Sequence, residues 1–245
     1  YRLPNVFGKW CRPNYNSAVA TFCNNIANEL PVQVNDPGVQ MKLVYVDDVV
    51  GSFIDKLKNG NRNVTEYGNY QEVLPVHEIK LGEIVELIYS FKESRNTLQL
   101  PDLGDAFTKK LYSTYLSYLP KDNFSYPLKM NEDNRGSFTE FLKSPERGQV
   151  SINISKPGIT KGQHWHHTKN EKFLVVSGTG VIRFRKIDSD EVIEYFVSGE
   201  KLEVVDIPVG YTHNIENVGE TDMVTVMWVN EVFDKERIDT YFLEV

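Results

Sequence analysis

Cysteine is nearly absent: Cys11 and Cys23, twelve positions apart, are the two in 245 residues. A single pair at that spacing makes neither the disulfide framework of a secreted domain nor paired zinc knuckles, and a reducing, cytoplasmic setting is expected. No run of about eighteen apolar residues occurs, and the N-terminus lacks the charged-then-apolar layout of a signal peptide, so no membrane span is expected. A Lys/Arg block is missing too. The net charge of −7, with acids and bases interleaved, argues against general binding to nucleic acid or to an anionic membrane. A phosphate-bearing ligand would need local arginines to overcome that field. Internal repeats and low-complexity tracts are also absent.

What is present changes texture part-way along. Residues Tyr1 to Gly8 read as a short strand entering a loop, and the abrupt start suggests a fragment. Ser17 is placed to cap a helix carrying Val19, Phe22, Cys23, Ile26 and Leu30, closed by Pro31. A strand is expected around Val32 and Val34, a turn at Asp36-Pro37-Gly38 and a second strand over Met41 to Val46. Asp47 or Asp48 then caps a helix with Val50, Phe53, Ile54 and Leu57, stopped at Asn59-Gly60. Amphipathic helices follow over roughly Leu81 to Phe91 and Leu103 to Leu119. From Gln149 onward, short β-rich segments recur: Val150–Ile154, Lys172–Val176, Val181–Lys186, Val192–Val197, Leu202–Ile207 and Met223–Val229. Such spacing indicates an antiparallel barrel or jelly roll. The boundary falls between Pro120 and Pro127, giving domains 1–122 and 123–245 and an α+β multidomain chain.

Chemistry concentrates in the second half. After Gly158 come five residues, His164, one residue, His166, four residues, Glu171, six residues and Gly178. Histidines at i and i+2 on a strand project to one face, and a turn can bring Glu171 onto the facing strand. Downstream, Pro208-Val-Gly210-Tyr-Thr-His213 with Asn217 offers a fourth donor. These spacings resemble the two conserved motifs of the cupin β-barrels, the second being partial because Leu202 stands where a glycine is usual. His164, His166, Glu171 and His213 are therefore the expected ligands of a divalent metal; zinc is expected, and iron, nickel or manganese suit the same donors. His167 points to the opposite face, and His77 is expected to be solvated.

Asp133-Asn-Arg-Gly136-Ser-Phe138-Thr-Glu140 and Ile207-Pro-Val-Gly-Tyr-Thr-His213 are similar to segments of the dTDP-sugar 3,5-epimerases, which are built on a cupin fold. That resemblance implies that Arg135 contacts nucleotide phosphates through its planar fork, that Phe138 and Glu140 belong to the substrate site, and that Lys172 steadies a developing enolate. In the first half, Arg2-Leu-Pro-Asn5-Val-Phe-Gly8 and Leu43-Val-Tyr-Val-Asp47-Asp48 resemble the later part of an extended short-chain dehydrogenase, a Rossmann-type α/β fold. This implies that Asn5, with Arg12 in the following loop, grips a nucleotide-sugar. The front half of that family is missing: there is no Gly-x-x-Gly-x-x-Gly cradle, and no Tyr is followed four residues later by Lys.

Taken in this order, the two halves resemble the bifunctional capsular-polysaccharide enzymes in which a UDP-sugar reductase is fused to a cupin. The resemblance implies a UDP-linked 4-keto-6-deoxy-HexNAc, epimerised at C3 by the cupin and reduced at C4 with NADPH in a full-length parent, towards UDP-N-acetyl-L-fucosamine, and a homodimer. A 4-keto group acidifies the C3 proton, so a base, an acid and a positive centre near the oxygen are needed; Lys172 or the metal is the expected centre, and His166 and Tyr211 the expected base and acid. Two other readings share the ligand set: a metal-dependent dioxygenase, and a non-catalytic sugar-nucleotide binding or dimerisation cupin with a structural metal. If the parent segment is gone, the first 120 residues are expected to be rearranged or paired with another chain.

Overall fold

The computed structural model of the chain describes residues 1–60 and 70–245. It separates into two compact units, Tyr1–Tyr126 and Pro127–Val245. Among the described residues no helix is long and apolar enough to cross a membrane.

The first unit is a small α/β layer structure. Strands β1 (Asn5–Phe7), β2 (Gln40–Tyr45) and β3 (His77–Lys80) form a sheet in that order, β1 and β2 parallel and β2 and β3 antiparallel. Helices α1 (Ala18–Ala27), α2 (Val46–Asn59), α3 (Leu81–Thr97) and α4 (Ala106–Leu116) accompany it. Apolar positions three and four apart on α1, α3 and α4 bury Phe22, Ile26, Ile84, Ile88, Phe91 and Leu111 against Phe7 and Leu43.

Local chemistry sets the boundaries. The Ser17 hydroxyl accepts from the Ala20 N–H, the Asp105 carboxylate accepts from the Thr108 N–H at 2.7 Å, and Gly60 ends α2 in the left-handed region. The Asp105 cap also explains why α4 begins later than Leu103. Four expectations need correction. Val32 and Val34 form no strand: both pack against the helical core, so their alternation reflects burial without a ladder partner. Neither Asp47 nor Asp48 caps α2; they lie in its first turn, where negative charge is favoured, and pair with Lys9 and Lys110. The third helix runs past Phe91 to Thr97, since Lys92 to Thr97 contains no breaker. His77 is not a solvated side chain: it lies in β3, half-buried against Phe7 and Phe107, and burial lowers its pKa.

The second unit is an antiparallel jelly roll of two sheets. Its strands are β4 (Met130–Asp133), β5 (Gly136–Ser144), β6 (Gly148–Ser155), β7 (Thr160–Trp165), β8 (Glu171–Ser177), β9 (Thr179–Lys186), β10 (Val192–Ser198), β11 (Val204–Ile207), β12 (Tyr211–Asn217), β13 (Met223–Val229) and β14 (Tyr241–Phe242). One sheet runs β10-β9-β12-β7-β14 and the other β11-β8-β13-β6-β5-β4. Phe173, Val175, Ile182, Phe184, Ile207, Ile215 and Met223 fill the space between them. The six segments expected from β-rich runs are all strands here. Of the additional ones, β4, β5, β7 and β12 bear residues that line a cavity, and β14 is two residues long.

Candidate metal centre and its cavity

The apolar core between the sheets runs up to a cluster of donors, Phe173 and Phe184 lying beside His213. His164 on β7 stands opposite His213 on β12, and Glu171 opens β8, with Phe173 two residues further along the same inward face. The donor atoms of His164, His166, Glu171 and His213 all lie within 4.8 Å of one another. Glu171 Oε2 is 3.1 Å from His213 Nε2 and 3.5 Å from His166 Nε2. Glu171 Oε2, His166 Nε2 and both ring nitrogens of His213 are buried without a hydrogen-bond partner. Unpaired buried polar atoms are costly, and a divalent cation at the cluster would satisfy Glu171 Oε2, His166 Nε2 and one nitrogen of the His213 ring together.

Electrostatics agree with that reading. Burial, reinforced by the neighbouring His213, pushes the His164 imidazole down to about 4, leaving it neutral with a free lone pair at physiological pH. Burial alone would raise the Glu171 carboxyl, yet its contacts with His166 and His213 hold it well below the ordinary carboxylate range. His166 Nδ1 donates to the Asp239 carbonyl, which leaves the unprotonated Nε2 lone pair turned towards Glu171.

A cavity of about 270 Å³ opens over the cluster. His164, Glu171 and His213 line it, whereas His166 lies behind them, 3 % exposed. Its other charged walls are Lys161, Arg135 and Asp133. Arg135 grips Asp133 through Nε at 3.0 Å and Nη2 at 2.6 Å, and its own backbone N–H donates to the same carboxylate. Lys161 Nζ donates to Asn153 Oδ1 and to the Ile154 carbonyl, both at 2.8 Å. Burial lowers its pKa, with Asp133 opposing and Arg135 reinforcing the shift.

Lys161 was not among the residues singled out from the sequence, and a bulge explains why. Strict alternation puts residues three apart on opposite faces of a strand. Here Lys161 pairs with Ile215, Gly162 with Asn214 and His164 with His213, leaving Gln163 as an extra residue in the left-handed region at φ 66°. The bulge returns His164 to the face that Lys161 already occupies. Gly162, at φ 106°, permits the close crossing: a Cβ there would lie 2.8 Å from the His213 carbonyl oxygen.

Other expected site residues are placed as follows. Lys172 points away from the cavity: it follows the inward Glu171 on β8, so alternation turns it outward, where it pairs with Asp206. Tyr211 packs against the apolar core and does not line the cavity. Phe138 lines it, opposite Asn153 in the register of β5 and β6; Glu140 does not, and pairs with Lys143 at 2.8 Å where a register shift interrupts β5. In the first unit, Asn5 lines a separate cavity of about 460 Å³ with Lys9, Trp10 and Ser17, while Arg12 stands over the Tyr15 ring, 5.7 Å from its centroid.

Residues 131–241 match the family described as the polysaccharide biosynthesis C-terminal domain. Over the whole chain, the sequence is 47 % identical to a Pseudomonas aeruginosa protein named UDP-2-acetamido-2,6-beta-L-arabino-hexul-4-ose reductase, of which it spans 65 %. It is 65 % identical to the crystal structure of the capsular polysaccharide assembling protein CapF from Staphylococcus aureus, with a TM-score of 0.96, covering all of this chain and 71 % of that one. A shorter similarity, 23 % over 122 residues, links 46 % of this chain to 81 % of the Bacillus subtilis spore coat polysaccharide biosynthesis protein SpsL.

Proposed function

Because the chain belongs to the family of the capsular polysaccharide assembling protein CapF, we propose that its jelly roll is a zinc-dependent epimerase acting at C3 of a UDP-linked 4-keto-6-deoxy-HexNAc. The full-length protein then reduces C4 with NADPH in making a capsular polysaccharide precursor, a step in keeping with the name of the Pseudomonas relative. The observation that carries the reading is the open cavity over a cluster of four inward donors, with Lys161 and the Arg135–Asp133 pair on its walls.

The keto group makes the neighbouring C3–H acidic, and removal of that proton leaves negative charge on the C4 oxygen. Zinc, when bound by His164, His166, Glu171 and His213, would supply a positive centre beside the cavity. Those four side chains are then unavailable for proton transfer, His166 included. Among the titratable groups lining the cavity, Asp133 and Arg135 hold each other; Lys161 is left, a cation anchored by two neutral acceptors. Lys161 therefore takes the part that the sequence resemblance assigned to Lys172: its ammonium gives a proton to the C4 oxygen as C3 loses its own to solvent entering the open cavity, and takes it back when solvent reprotonates C3. Arg135, half-exposed at the same cavity, faces the diphosphate. In the first unit, Asn5 contacts the nucleotide-sugar for the reductive step. The exposed apolar residues Val192, Ile193, Tyr195 and Phe196 on β10 support a working homodimer.

The test is NMR of a UDP-4-keto-HexNAc incubated in D₂O with this protein. Deuterium at C3 with the zinc-loaded protein, lost on chelation and regained on adding zinc, is the expected result. No label with a full complement of metal overturns the epimerase reading and leaves a binding or structural cupin; oxygen consumption in the same tube would point to a dioxygenase.

A further inference from the structure

Two of the four donors, His166 and Glu171, are joined by residues 167–170, and the backbone N–H groups of that turn all find partners far away in sequence. Those of His167, Thr168 and Lys169 converge on one carboxylate, Asp239, at 2.9, 2.7 and 2.9 Å, and the Thr168 hydroxyl donates to it at 3.0 Å. The fourth, of Asn170, donates to Asn230 Oδ1 at 3.1 Å. Successive N–H groups wrapped around an anion form a favourable nest, and each bond is charge-assisted.

The same residue also holds the ring. The Asp239 carbonyl can only accept, so its contact with His166 Nδ1 requires the proton on that nitrogen and leaves Nε2 as the lone-pair donor. The His166 carbonyl is fixed from the other side by the Gly210 N–H at 3.0 Å. Carboxylate and carbonyl belong to one residue, so turn and imidazole are positioned together by a group that donates nothing to the ion. The segment bearing Asp239 is in turn zipped to the donor strand: Tyr241 and Phe242 of β14 pair with Trp165 and His164 of β7.

We propose that Asp239 is the positioning residue that sets how tightly the four-donor cluster holds its metal, by locking the tautomer of His166 and the turn leading to Glu171. The proposal rests on the reading of this cluster as a metal centre.

The experiment uses the whole chain as wild type, Asp239→Ala, Asp239→Asn and Thr168→Val. Zinc affinity is measured by competition with a chromophoric chelator, and the His166 tautomer in the metal-free protein by long-range proton–nitrogen correlation NMR. For Asp239→Ala, which keeps the main-chain carbonyl but releases it from the donor turn, zinc binding is expected to weaken roughly 10–100-fold, the range typical of outer-shell changes, with the Nδ1–H form now mixed with the Nε2–H form. Asp239→Asn, which keeps the shape and one acceptor oxygen, falls in between and serves if the alanine variant does not fold. Thr168→Val, which removes one of four bonds, stays within about threefold of wild type on the same scale. Unchanged zinc affinity in the Asp239 variants overturns the proposal. So does weaker binding with the wild-type tautomer intact, since Asp239 would then be only a loop fastener. Failure of the wild type itself to bind zinc is a different result and removes the metal-centre reading beneath.

Discussion

Lys161 and Lys172 sit in neighbouring strands of sequence, yet one lines the cavity and the other faces solvent beside Asp206. Lys161→Met is therefore expected to lower C3 exchange by roughly 10²–10⁴-fold, the usual worth of a placed acid or base, with zinc content unchanged; Lys172→Met should leave both intact. Elemental analysis beside the D₂O assay distinguishes the two, and equal losses from both lysines would contradict this placement. The donor residues also predict acid sensitivity of the metal-free protein. His164 titrates at about 4 when folded, against an ordinary 6.5. Between those values the unfolded chain binds a proton that the folded chain does not, so stability falls as pH drops from 6.5 to 4, by up to about 3 kcal/mol. Glu171 acts in the same direction at lower pH: its depressed pKa contributes stability above the ordinary carboxylate value of 4.5, and that is lost as pH falls towards the folded value. Thermal melts of chelated protein across this range check the sign, and a flat profile would contradict it.

At the level of elements, the site depends on irregularity in β7. The bulge at Gln163 is held open by Gly162 and fastened by the chain end, where the Leu243 N–H donates to the Gln163 carbonyl and the Val245 N–H to its side chain. Gly162→Ala puts a Cβ 2.8 Å from the His213 carbonyl and forces a non-glycine residue into φ 106°. A loss of about 1–3 kcal/mol in denaturant unfolding is expected from the backbone strain alone, and weaker zinc binding because His213 must move. The β-rich runs, the His-x-His pair and the Pro208-to-His213 segment were legible without a structure because burial and donor chemistry impose fixed spacings. The strands β5, β7 and β14 were not, since their patterns are broken by cavity-facing polar residues, by a bulge, or by a length of two residues. Likewise Val32 and Val34 showed that alternation records burial and needs a neighbouring strand before it becomes a sheet.

For the whole molecule, the division at Tyr126/Pro127 separates two units each with its own apolar core. All four candidate metal donors, Lys161, Asn153 and Asp239 belong to the second. Residues 127–245 produced alone are accordingly expected to fold and to bind one zinc per chain with wild-type affinity, measured by chelator competition; a metal-free or unfolded product would show that the site needs the first unit.

The sequence by itself determined the kind of chemistry: which side chains could hold a metal, that a β-barrel presents them, and that an α/β layer precedes it, because periodicity and donor spacing are local properties of the chain. Only the tertiary structure decided which lysine faces the cavity, that His166 Nδ1 is held by the Asp239 carbonyl, and that Asp239 reaches back to the donor turn. Those outcomes depend on a one-residue register shift and on contacts seventy or more residues apart. Neither leaves a periodic trace in the sequence, since both are settled when strands distant along the chain come to lie side by side.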